Sequence, residues 1–223
     1  MKTRSLSFEV SPSIGSVSAE CMIPDKPKCI MSLAHGAGAG MNHIFMVTLS
    51  RLLAEHDIAT MRFNFPFTEN KKGRPDTPVV AHHAIEAAAS KARELLPGLP
   101  LIVAGKSFGG RMSSQYLSAN PTAGVNGIVF YGFPLHQPGK PATERADHLK
   151  SVRVPKLFLQ GTRDALADWE MIKSVCLSLS STRLVKLQGA DHSFKAGKQN
   201  ILQLLADHTN EWFEKRVARR NAG

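Results

Sequence analysis

The sequence predicts an α/β fold: a mostly parallel, twisted sheet with helices on both faces and an antiparallel hairpin at its N-terminal end. Three observations predict it. From residue 28 onward, short apolar runs alternate with stretches of helical periodicity. Before that, residues 4–23 alternate polar and apolar around Ser11-Pro12-Ser13-Ile14-Gly15, the pattern of a hairpin. Third, Leu101-Ile102-Val103 runs directly into Gly105-Lys106-Ser107-Phe108-Gly109, a strand–turn–helix signature. Buried parallel strands read as unbroken apolar runs because both faces are covered, and the helices between them supply the crossovers.

The elements follow in order. Strands are predicted at 4–10 and 16–23, then a buried-type strand at 28–34 followed by the glycine loop Gly36-Ala37-Gly38-Ala39-Gly40. Phe45, Thr48, Leu49, Leu52 and Leu53 recur at helical spacing. A strand at 58–65 precedes a long polar loop over 67–78, and Ala81, Ile85, Ala88, Ala92 and Leu95 mark the next helix. The strand at 101–105 leads into a helix that ends near Asn120, before Pro121. Strands at 127–131 and 156–160 are each followed by loop and helix, the second helix carrying Trp169, Ile172, Cys176 and Leu179. A last strand at 183–187 precedes a C-terminal helix striped by Ile201, Leu204, Leu205, His208 and Trp212. The connection from Tyr131 to Lys156 is too short for a substantial lid, so an open site is expected.

Composition bounds the class. With 223 residues, 43% hydrophobic and 21% charged, the chain is expected to form a single domain over 1–223. Met1 to Val10 lacks the apolar block of a signal peptide, and no run approaches a membrane span. Cys21, Cys29 and Cys176 are odd in number, widely spaced and in apolar company. They read as reduced core residues, which places the protein in the cytoplasm. The net charge of +10 is scattered apart from a basic tail at about 215–223. That tail lacks aromatic interleaving or a nucleic-acid motif, so neither nucleic acid nor membrane is an expected partner. The oligomeric state is not specified.

The chemistry concentrates at strand ends. Gly105-Lys106-Ser107-Phe108-Gly109 is a G-x-S-x-G turn, in which glycines two before and two after relieve crowding around a strained serine. Asp164 follows the strand at 156–160, and His192 follows the last strand. The order Ser107, Asp164, His192 suits acyl transfer. A serine hydroxyl needs an imidazole to take its proton, and the imidazole needs a carboxylate to fix its tautomer. Asp168, one turn beyond Asp164, and Asp191, adjoining the histidine, are the alternative acids; Asp191 is covalently too close to reach round comfortably. The backbone N–H groups of Phe108 and Ala37 are the candidate oxyanion donors, with Gly36 and Gly38 beside them letting the backbone approach a substrate. The G-x-G-x-G spacing matches neither a dinucleotide loop nor a Walker loop, and no cofactor is implied.

These motifs, together with His35-Gly36-Ala37-Gly38, Phe133-Pro134-Leu135-His136-Gln137-Pro138-Gly139-Lys140-Pro141 and Asp191-His192-Ser193, resemble the α/β-hydrolase superfamily. More narrowly the chain is similar to the dienelactone-hydrolase-like branch that contains testis-expressed protein 30 and bacterial relatives. The resemblance spans nearly the whole chain. It implies the α/β-hydrolase fold and the roles nucleophile Ser107, acid Asp164 and base His192. Dienelactone hydrolases proper use a cysteine nucleophile, so serine here does not imply their reaction. The same branch resembles a scaffolding subunit of a chromatin complex.

Other residues could shape a substrate. His136 could bind a substrate carbonyl or anchor its own proline-rich loop. Phe65 could supply an apolar wall or belong to the core. Lys106 and Arg111 flank the nucleophile and could draw in carboxylates, while Arg111, one turn after Ser107, could instead tie down its helix. His82, His83 and Glu86 share a helix face without a third partner, so no metal site is expected. The expected function is a serine hydrolase that cleaves a small or short-acyl carboxylic ester or thioester. The competing reading is a non-catalytic interaction module that keeps the fold and uses the basic tail as a contact surface.

Overall fold

The computed structural model describes residues 1–218. Arg219 and Arg220 of the expected basic tail lie outside the described residues, while Lys215 and Arg216 close the last helix. Strands β1 (Lys2–Ser11) and β2 (Gly15–Ile23) form the antiparallel hairpin, with Gly15 at φ 88° closing the turn. Phe8 and Val17 face each other on its buried side, where the Phe8 ring meets Phe63 edge-on at 6.0 Å.

Strands β3 (Cys29–Ala34) and β4 (Ile58–Phe63) are buried along their whole length, as are β6 (Gly127–Tyr131) and β7 (Lys156–Gly161). With β5 (Leu101–Lys106) and β8 (Thr182–Leu187) they complete one eight-stranded sheet, ordered β1-β2-β4-β3-β5-β6-β7-β8. Only the pairings of β1 with β2 and of β2 with β4 are antiparallel.

Helices cover both faces. α1 (Ile44–Ala54) packs with the late helix (Ile201–Arg216) on one face, around Met46, Leu49, Leu205 and Trp212. Between β4 and β5 come the short α2 (Pro66–Glu69) and the long α3 (Pro78–Leu95). α3 shares the other face with α4 (Phe108–Ala119) and α5 (Trp169–Ser178), around Ile85, Met112, Phe130 and Ile172. The late helix is α6.

Two expectations are corrected. The strand expected to reach residue 65 stops at Phe63, and part of the loop expected over 67–78 is the α2 turn. By Phe65 the chain has left the ladder, its amide donating to His35 Nε2, and the fixed φ of Pro66 suits the first position of a helix. The connection after β6 forms a 3₁₀ helix at Glu144–Ser151 rather than an α-helix. Its buried residues are Ala146 and Leu149, three apart, which coincide on one face at three residues per turn. This segment packs against α4, and no lid covers the sheet edge among the described residues.

The strand order fixes where a site can form. From β3 the chain moves to β4 on one side and then to β5 on the other, so the connections leaving β3 and β5 diverge. A crevice opens there, at the carboxyl ends of the parallel strands. The glycine loop leaves β3 on one side of that crevice, and Ser107 leaves β5 on the other.

Candidate active site

Ser107 sits between β5 and α4 at φ 51°, ψ −113°, a conformation an L-residue holds at a cost of about 1–3 kcal/mol. The surrounding glycines show what permits it. A Cβ on Gly105 would lie 2.2 Å from the Gly110 amide nitrogen, and one on Gly109 would lie 2.6 Å from the Ala34 carbonyl oxygen. The strand, the turn and the helix therefore pass too close for any side chain. The Ser107 amide donates to the Tyr131 carbonyl at 3.2 Å, and the Ser107 carbonyl accepts from Arg111 at 3.1 Å, which locks the turn at both ends.

His192 follows β8 and Asp164 follows β7. Nε2 of His192 lies 2.9 Å from Ser107 Oγ, and its Nδ1 lies 2.7 Å from Oδ2 of Asp164. A carboxylate only accepts, so the Nδ1 proton goes to Asp164 and Nε2 is free to take the serine proton. Asp164 is almost wholly enclosed, its side chain 1% exposed. Its oxygens also accept from Gln160 Nε2 at 2.6 Å and from the Leu166 amide at 2.8 Å, so the carboxylate is fully engaged. The acid and base loops are tied together. Arg163 donates to the Ala190 carbonyl, Gly189 donates to Thr162 Oγ1, and a Cβ on Gly161 would fall 2.2 Å from the Ala190 oxygen.

The two alternative acids have other duties. Asp168 is the N-cap of α5, accepting from the Met171 amide at 3.0 Å. Asp191 accepts from the amides of Ser193 and Lys195 and folds its own loop. The His192 ring bonds to Asp164 and to neither of these carboxylates.

The glycine loop after β3 is held from behind. His35 is buried, and its Nε2 accepts from the Phe65 amide at 3.0 Å, which leaves Nδ1 to donate to the Gly36 carbonyl at 2.8 Å. Burial pushes its imidazole down to about 4, so it stays neutral near pH 7 and keeps that tautomer. Further along, Arg62 Nη1 donates to the Met41 carbonyl at 2.6 Å and Asn64 Oδ1 accepts from the Met41 amide at 2.9 Å. Arg62 also pairs with Glu20.

A cavity of about 360 Å³ opens where these parts meet. Ser107 and His192 line it beside Gly36, Ala37, Gly38 and Ala39, while Phe45, Met46 and Leu166 give it apolar walls. Phe108 begins α4, so its N–H belongs to the first turn, whose amides have no intrahelical acceptor. The sites named for an oxyanion thus flank the serine. A broader depression of about 640 Å³ shares Ala37, Gly38, Ala39 and His43 with this cavity and extends to Thr68, Lys71 and Lys72.

Three residues named for substrate contact lie elsewhere. Phe65 is fully buried in a ring cluster with His35, Phe63, Phe67 and Phe108. His136 anchors its own loop: its Nδ1 lies 2.8 Å from the Gln137 carbonyl, and its Nε2 accepts from the Asp168 amide at 2.9 Å. Arg111 is not among the residues that line the cavity, and its charge acts on Arg145 and His148. The apolar wall comes instead from Phe45 and Met46 at the start of α1, and from Leu166. Phe45 counted in the sequence only as part of a helical stripe, which cannot separate a core face from a cavity wall. The three cysteines are buried and free, and burial raises their thiols to about 11 or 12, so none is an activated nucleophile.

Residues 27–216 match the model of a family described as the alpha/beta hydrolase domain. A Mycobacterium tuberculosis protein bearing the provisional name phosphoribosyl transferase is 25% identical over 201 residues, 88% of this chain and 43% of that protein. The chain therefore spans less than half the length of the curated relatives it matches. Among solved structures, dienelactone hydrolase from Anabaena variabilis superposes with a TM-score of 0.77 at 19% identity, covering 97% of this chain and 98% of that one. An α/β serine hydrolase without lid from Xanthomonas campestris gives 0.74 at 20% identity, covering 95% of each chain. At these identities the likeness concerns the fold.

Proposed function

This chain belongs to the alpha/beta hydrolase domain family, and on that footing we propose that it hydrolyses a carboxylic ester or thioester through an acyl-Ser107 intermediate. The observation that carries the reading is the unbroken relay Ser107–His192–Asp164, with contacts of 2.9 and 2.7 Å, opening onto a cavity.

The steps follow from that geometry. His192 Nε2 takes the hydroxyl proton as Ser107 Oγ attacks the substrate carbonyl, and Asp164 steadies the imidazolium that forms. The carbonyl oxygen becomes an oxyanion, for which the amides of Phe108 and Ala37 are the proposed donors. One such donor is commonly worth about 2.7–4 kcal/mol in the transition state. Collapse of this intermediate breaks the bond to the leaving alcohol or thiol, which takes its proton from His192. A water then repeats the sequence on the acyl-enzyme, again with His192 as base, and frees the acid and Ser107.

The cavity argues for a small acyl group. At about 360 Å³, walled by Phe45, Met46 and Leu166, it is near the lower end of ligand sites. The transferase name belongs to a longer relative and is not carried over, because a serine paired with a general base suits acyl rather than phosphoribosyl transfer. The test is p-nitrophenyl ester turnover across acyl length. The acetate and butyrate esters are expected to exceed the dodecanoate by at least tenfold in kcat/KM, on the order of 1.4 kcal/mol. Equal or better turnover of the long chain would contradict the short-acyl assignment.

A further inference from the structure

We propose that Lys106, the residue immediately before the nucleophile, is a positioning residue that holds the His192 loop against Ser107 through an ammonium-to-carbonyl hydrogen bond. This rests on the serine-hydrolase reading above and adds a residue to its machinery.

The geometry is specific. Lys106 Nζ donates to the backbone carbonyl of His192 at 2.6 Å, a contact 86 residues apart in sequence. The end of β5 thus carries the nucleophile on one residue and a clasp for the base on the residue before it. A charge-assisted bond of this length is roughly twice as strong as a neutral one. The loop it holds, between Leu187 and Asn200, contains no helix or strand of its own, so its carbonyl needs such a partner.

The pocket around the ammonium is built from unusual backbone. Gly132, at φ 72°, has no side chain where one would lie 3.3 Å from Lys106 Nζ and 3.6 Å from Asp164 Oδ2. Phe194, a non-glycine residue at φ 62°, turns its ring to within 5.1 Å of the ammonium and stacks on Phe45 of the cavity wall. Left-handed backbone at a non-glycine residue persists only where its surroundings over-determine it. The groups facing the ammonium are therefore a carbonyl, an aromatic face and, from the two adjoining loops, the carboxylates of Asp164 and Asp191. Burial lowers the Lys106 ammonium to about 8 while both carboxylates work against that shift.

Two functions are thereby linked. Beside the ties that bind the His192 loop to the β7 loop, Lys106 adds one to β5, the strand that carries Ser107. Its charge also sits beside the relay without contacting the carboxylate that His192 uses.

The experiment is the rate of Ser107 modification by a fluorophosphonate. In that reaction the Oγ–P bond forms, the P–F bond breaks, and the serine proton passes to His192 before fluoride departs. Lys106→Met keeps the chain length and removes the ammonium, while Lys106→Arg keeps a cation. Lys106→Met is expected to lower the maximal modification rate at least roughly tenfold, the scale of a small misplacement of the base. The probe concentration for half-maximal rate should stay within threefold. Lys106→Arg should recover most of the lost rate. A folded Lys106→Met protein modified as fast as wild type would overturn the proposal, as would equal losses in the Met and Arg variants. If wild type itself is unmodified at Ser107, it is the underlying hydrolase reading that fails.

Discussion

Replacing Ser107 with alanine is expected to lower p-nitrophenyl acetate turnover by at least ~10³-fold while barely moving the thermal midpoint. The removed oxygen is the only reacting atom the side chain supplies, and its partner in the relay is His192 Nε2. Alanine keeps the Cβ, so the strained φ of 51° and its cost remain in the folded state. Stability therefore has little reason to change in either direction. The loss in rate has a floor, because oxyanion donors and binding still favour attack by water; residual catalysis of roughly 10³–10⁴-fold over solution survives such deletions elsewhere. Turnover within tenfold of wild type would mean that another group is the nucleophile.

The second large effect concerns Gly109. Gly109→Ala is expected to destabilise the fold by more than about 3 kcal/mol, beyond ordinary overpacking. The new Cβ would meet the carbonyl oxygens of Ala34 and His35 at 2.6 and 2.7 Å. Both are backbone atoms, so no side-chain rotation relieves the clash. Either α4 lifts from the end of β3, or β3 shifts and carries the glycine loop away from Ser107. Gly38→Ala is the contrasting substitution: no atom lies within 4 Å of its added Cβ, and its stability should change by no more than about 0.5 kcal/mol. Urea unfolding of both variants measures this directly. A Gly109→Ala protein as stable as the Gly38→Ala protein would show that the tight crossing is not what the glycine serves.

Much of this was legible in the sequence, for identifiable reasons. The parallel strands announced themselves because burial on both faces makes them unbroken apolar runs, as in Leu101 to Ala104. That Ser107, Asp164 and His192 would come together was legible because each proposed role requires one residue type after one strand. What stayed hidden depends on direction in space. Phe45 and Phe65 look alike in sequence, yet one walls the cavity and the other is sealed under His35. His136 carries the same imidazole as His192, but its two ring nitrogens are spent on Gln137 and Asp168. Lys106 read as a cation beside the nucleophile that could draw in carboxylates; its bond to the His192 carbonyl, 86 residues away, had no signal in the sequence. The α2 turn was missed because Pro66 was read as part of the segment closing the strand and residues 67–78 as loop, although its fixed φ suits the start of the turn.

Ser107 is proposed to act as a nucleophile activated by His192. The most direct measurement is to incubate the protein with a fluorophosphonate and locate the adduct by peptide mass spectrometry, in wild type and in His192→Ala. One adduct is expected, on Ser107, and it disappears in the His192→Ala protein although that protein remains folded. A folded wild-type protein that stays unmodified at Ser107, or an adduct that forms as quickly without His192, would contradict it and leave a hydrolase fold serving as an interaction module.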